Sequence, residues 1–117
     1  MSQDVESIYD EYMSKLKQVL PNVDPNFVHR VMYVERELGD YDIHEPFVNA
    51  ILEYKPGVDL NIKVNGLREK YSLEVEHGDK PNTIHVESRM VIDKIKSISA
   101  DRDIVRISGK SDVRIGE

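Results

Sequence analysis

Near Pro56-Gly57 the spacing of apolar side chains changes, and that change constrains the fold more than any other feature of the chain. Before it, apolar residues recur every three to four positions, the rhythm of an amphipathic helix; after it they recur at every second position, the rhythm of a half-buried strand. The pattern predicts a single α+β domain over residues 1–117, helical over about 1–55 and sheet-forming over about 58–115. A chain of this length suits one hydrophobic core rather than two.

In the first part, Val5, Ile8, Tyr9, Tyr12, Met13, Leu16, Val19 and Leu20 share one face of a helix running from about Asp4 to Leu20. Asp4 and Glu6 stand in its first turn and Lys15 and Lys17 near its last, matching the helix dipole, and Pro21 stops it. Asp24-Pro25 reads as an N-cap followed by proline at the first helical position, with Val23 stapling onto Val28 across the cap. The second helix so opened turns inward Phe27, Val28, Val31, Met32, Val34 and Leu38, and Gly39 is expected to end it in a left-handed conformation. Pro46 opens a short third helix through Tyr54, apolar nearly all round and closed by Pro56-Gly57.

In the second part, Val58, Leu60, Ile62 and Val64 alternate with polar residues as a strand, and Asn65-Gly66 carries the signature of a type I′ hairpin turn. Leu67 to Glu76 follows as the partner strand, and Ile84, Val86, Met90 and Ile92 continue the alternation in a third. Ser88 to Ile98 fits either a strand or a helix that turns inward Val91, Ile95 and Ile98. Ile104 to Ser108 and Val113 to Ile115 read as strands about a Gly109-Lys110-Ser111-Asp112 turn. The expected architecture is three N-terminal helices packed on one face of a C-terminal antiparallel meander of four to five strands.

Charge and composition bound the function. Net charge is −6, and residues 1–54 hold 4 Lys and Arg against 11 Asp and Glu, so the N-terminal half repels a phosphate backbone. The chain has no cysteine, which excludes disulfides, thiolate zinc sites, iron–sulfur clusters and cysteine nucleophiles. Its polar, acidic start and the lack of a long apolar run lead us to expect a cytoplasmic protein with no membrane partner.

The motifs are sparse. Gly109-Lys110-Ser111 has the ending of a phosphate loop, but Ile104 stands where the earlier glycine is required and no helix follows. Asp40, Asp42, His44 and Glu45 gather oxygen ligands, yet from Asp40 the sixth residue is Glu45 and the twelfth Ile51, where a calcium loop needs glycine and glutamate. The four histidines, His29, His44, His77 and His85, lack the helical pairing of a zinc protease site. His85 is expected opposite Glu74 on the exposed sheet face, as a carboxylate–histidine pair. No catalytic residue, metal ligand or cofactor is assigned from the sequence.

The hairpin registers bring together one constellation. The Asn65-Gly66 turn sets Lys63 opposite Arg68, and pairing Glu76 with Thr83 sets Lys70 opposite Arg89. Lys63, Arg68, Lys70 and Arg89 would form a basic corner able to hold an anion or an acidic partner, with Glu74, Glu76 and Glu87 at the other end. The element order, a helix-turn-helix before a hairpin, resembles that of a winged helix; the resemblance makes 46–54 the recognition helix, which offers only Asn49 to a base and carries Glu53. The leading expectation is therefore a non-catalytic binding or regulatory module that contacts another protein or a second copy of itself. A winged-helix-like nucleic-acid or anion binder using the basic corner, and an enzyme with a dispersed site, are the alternatives.

Overall fold

A computed structural model of the chain describes residues 2–39 and 45–114. Among them are four helices and four strands in the order α1 (Ser2–Val19), α2 (Pro25–Leu38), β1 (Phe47–Tyr54), α3 (Leu60–Tyr71), β2 (Val75–His77), β3 (Thr83–Arg89), α4 (Ile92–Ser99) and β4 (Ile104–Asp112). The protein is α+β with an antiparallel sheet, but helices and strands interleave instead of falling into a helical half and a sheet half.

The first two helices stand where the periodicity puts them. Asp24 caps α2 by accepting from the Asn26 N–H at 3.0 Å, and Pro25 occupies the first turn, where no donor is needed. Phe27, Val28, Val31, Val34 and Leu38 are buried, while Met32 is half-buried. Gly39 ends the helix in a right-handed conformation (φ −56°), not the left-handed one expected, with its N–H on the Arg36 carbonyl.

The expected third helix is β1. Val48, Ala50, Leu52 and Tyr54 are buried at every second position, and Ile51 points to the other face, so a run that looked apolar all round is a central strand. The expected first hairpin is α3. Leu60, Val64, Leu67 and Tyr71 lie on a 4-3-4 spacing that faces the core, and Ile62, which completed the apparent alternation, is exposed. Asp59 caps α3 by accepting from Asn61 N–H at 3.0 Å, Arg68 and Lys70 sit in its last turn, and Ser72 ends it at φ 55°. Gly66 is therefore an exposed helical residue with open space around the place a Cβ would take.

Of the two readings for 88–98, helix holds from Ile92. The α4 N-terminus has no side-chain cap of its own; Glu35 of α2 supplies one, accepting from the Ile92 N–H at 2.6 Å. The expected Gly109-Lys110-Ser111-Asp112 turn is strand instead: β4 runs from Ile104 through Gly109 to Asp112, Val113 and Arg114 lie past its end, and Ile115 lies outside the described residues. Gly109 lies opposite Ala50 where the backbones approach so closely that a Cβ would collide with the Asn49 carbonyl and the Ala50 Cα.

The sheet order is β2-β3-β1-β4 with every pair antiparallel. Each helix-bearing connection skips one strand: α3 links β1 to β2 across β3, and α4 links β3 to β4 across β1. This is a split β-α-β arrangement with two extra N-terminal helices, not a meander. The helices share the face lined by Val48, Leu52, Ile84 and Val86. Asn49, Ile51, Glu53, His85 and Glu87 project from the opposite face, which no described helix covers.

Both outer edges of the sheet are blocked. Along β4, Ile107 exchanges backbone hydrogen bonds with Asn22 and Asp24, each 2.8 Å, and the Arg30 guanidinium donates to the Ser111 carbonyl at 3.0 Å. Along the three-residue β2, the Arg68 guanidinium donates to the Val75 carbonyl at 2.8 Å.

Gly66 separates the helical from the hairpin reading experimentally. Gly66→Ala is expected to stabilise the protein by about 0.5–1 kcal/mol in urea unfolding, the gain of alanine over glycine in an exposed helix interior. A type I′ turn at this position would make the same change destabilising.

Candidate functional site

The four residues of the expected basic corner do not meet. Lys63, Arg68 and Lys70 ride on α3 in the helical layer, whereas Arg89 ends β3 and projects from the open face of the sheet. Each has an intramolecular partner. Lys63 donates to Asp101 at 2.9 Å and lies 2.8 Å from Asp103, Arg68 holds the β2 edge, and Lys70 lies 5.3 Å from the Tyr71 ring centre. Arg89 donates to the carbonyls of Glu45 (2.9 Å), Val113 (3.2 Å) and Arg114, tying the segment after β4 to the start of β1. Only Lys63 and Lys70, seven residues apart on one helix face, share a surface.

That surface is a cleft of about 450 Å³ between α3 and α4, with Tyr54 at its base. Burial, followed by the Asp101 carboxylate, pushes the Tyr54 phenol up to about 12. Hydrogen bonds to Asp103 and Asp101 hold the Lys63 ammonium above its usual value, and the same contact holds the Asp103 carboxyl below its own. The Lys63 charge is thus matched by two carboxylates at the cleft wall, and Tyr71 and Ser97 close the outer end through a 3.0 Å hydroxyl contact.

A groove of about 570 Å³ runs over the open sheet face, lined in part by Ile51, Glu53, Glu76, His85 and Arg106. The carboxylate–histidine pair expected here is present with a different acid: Glu76, not Glu74, stands opposite His85, because β2 and β3 pair Val75 with Val86. Glu74 instead gives its carbonyl to the Glu87 N–H. His85 Nδ1 lies 3.4 Å from Glu76 Oε1, and Nε2 lies 2.6 Å from Asn49 Oδ1 and 3.7 Å from Glu87 Oε1. Both ring nitrogens therefore face acceptors within the protein. The imidazole thereby links β2, β3 and β1 across the open face.

Gly109-Lys110-Ser111 lies inside β4, so it cradles no phosphate, and the Ser111 hydroxyl donates to the Phe47 carbonyl. Asp40, Asp42 and His44 lie outside the described residues, and among the described residues no cluster of three or more acids and histidines is placed to hold a metal ion. Among the described residues no helix is long and apolar enough to cross a membrane.

The feature that periodicity alone could not reveal is on α1. Its apolar stripe looks in sequence like any core-facing stripe, yet only Tyr12, Met13 and Leu16 are half-buried, against α2 and the core. Val5, Ile8 and Tyr9 are 65%, 67% and 50% exposed. Tyr12 meets His29 of α2 edge to face, and beyond that contact a small hollow lined by Tyr12, His29, Met32, Tyr33 and Arg36 separates the helices.

Comparison with protein-family models finds no match for this chain, and comparison with curated proteins and with solved structures finds no significant one.

The Tyr54–Lys63–Asp101 cluster sets a pH dependence. Tyr54 and Lys63 both bind their protons more tightly in the folded state, so the stability they contribute is present below pH 10 and is lost as pH rises toward about 12. Tyrosinate absorbance during alkaline titration should show one phenol ionising near pH 12, together with loss of helix signal. Tyr54→Phe should remove that late step.

Proposed function

We propose that this chain is a non-catalytic binding module that engages a protein partner through the free half of α1. The observation that carries the reading is the exposure of Val5, Ile8 and Tyr9 together on one face of an 18-residue helix. Scattered single apolar residues are normal on a surface, but three on consecutive turns of one stripe form a patch that association would bury. Helices that dock in grooves or on other helices use this spacing of anchors.

Two further features support a binding role over chemistry. The imidazole in the sheet groove is engaged at both nitrogens, and the lysine of the α3–α4 cleft is neutralised by two aspartates. The four basic residues that favoured a nucleic-acid or anion reading are held by intramolecular contacts and divided between two layers, and the net charge of −6 works against a polyanion.

A photo-crosslinking side chain at position 8, used in cells, is expected to trap a protein, and the same group at Ile62, equally exposed on α3, is expected not to trap the same one. Val5→Glu with Ile8→Glu should abolish the adduct formed from position 9 while leaving the far-UV circular dichroism spectrum of the folded chain unchanged, since both side chains are exposed on the single chain. Failure of position 8 to form any protein adduct would remove this reading.

A further inference from the structure

We infer that the partner is a second copy of this chain, paired antiparallel along α1 about a two-fold axis. This rests on the binding role of α1 proposed above and adds the identity and orientation of the occupant.

The charges beside the stripe select that orientation. At about 100° per residue, Asp4 and Lys15 border the apolar stripe on one side and Glu6 and Lys17 on the other; Glu11, which holds Lys15 at 3.2 Å, and Asp10 lie further out on the same two sides and meet like charges in either orientation, so the ends of the helix decide. In a parallel pair these borders meet at equal heights, setting Asp4 against Glu6 and Lys15 against Lys17 of the other copy, like charges at both ends. In an antiparallel pair each border meets itself reversed. Centred on the middle of α1, between Asp10 and Glu11, that register brings Asp4 beside Lys15 and Glu6 beside Lys17 of the other copy, each within about two residues.

The same register matches the free and half-buried parts of the stripe. Val5 comes opposite Leu16, Ile8 opposite Met13, and Tyr9 opposite Tyr12, so the exposed half of each helix lies on the half that α2 already flanks. The result is a four-helix layer, α1 and α2 from each copy, in which one patch covers itself.

Sedimentation equilibrium of the purified full chain should give twice the 13.5 kDa monomer mass. Ile8→Glu should weaken dimerisation by more than about 100-fold, as for a buried apolar anchor. Glu6→Lys or Lys17→Glu alone should weaken it by roughly ten-fold, since each creates two like-charge contacts per dimer, and the two together should restore it. The chain has no cysteine, so a mixture of Val5→Cys and Leu16→Cys proteins reports orientation directly. A mixed disulfide supports the antiparallel pair; disulfides formed only between two Val5→Cys copies overturn it. A monomer mass at millimolar concentration, or a dimer indifferent to Ile8→Glu, also overturns it. A monomer that still gives a foreign protein adduct from position 8 leaves the binding role of α1 standing without a second copy as its occupant.

Discussion

The double pairing of β1 is the constraint from which the rest follows. Phe47 to Glu53 pair with β3 along one edge, Phe47 to Tyr54 pair with β4 along the other, and the Tyr54 N–H donates to the Asn82 carbonyl, so the strand's backbone polar groups are satisfied. With those needs met, Val48, Ala50, Leu52 and Tyr54 can be buried beneath the helices. The chain leaves β1 through α3 and returns to its far side through α4, and these helices cover the core together with α2, which contributes Phe27, Val28 and Val31. The contact is close enough that Gly109 must lack a side chain where β4 crosses Ala50.

Around this centre, ionic and hydrogen-bonding side chains act as fasteners between elements. The Glu35 carboxylate caps α4 from α2, Lys63 binds the loop before β4 from α3, and Asn22 donates its amide to the Ser99 and Ile104 carbonyls. His85 joins β2, β3 and β1 through Glu76 and Asn49. Residues that attract attention as chemistry in a linear reading are therefore largely committed to cohesion.

The two N-terminal helices are legible in the sequence because local and global signals agree: the 3-4 spacing, the Asp24-Pro25 start and the proline stops all point one way. The middle third misleads because its signals conflict. Asn65-Gly66 is a strong turn dipeptide, and Ile62 supplies a false alternation, while the Asp59 cap and the Leu60, Val64, Leu67, Tyr71 spacing argue for the helix that forms. In 47–54 the outward Ile51 hides the two-residue period of a central strand. Once α3 is a helix, the pairing that gathered Lys63, Arg68, Lys70 and Arg89 has no basis, since it was a product of register and not of residue type. The exposure of α1 is illegible for a different reason: a stripe awaiting a neighbour and a stripe already covered have the same sequence.

Two arginines far apart in the chain, Arg30 and Arg68, do the same thing at opposite margins of the sheet: each places a guanidinium on a main-chain oxygen that would otherwise face outward. An added strand would have to displace them, and at β4 also the bridge from residues 22 to 24. Lateral accretion, strand upon strand, has no point of entry here. Both margins are thus occupied by the protein's own groups, which is how sheet proteins discourage edge-to-edge accretion.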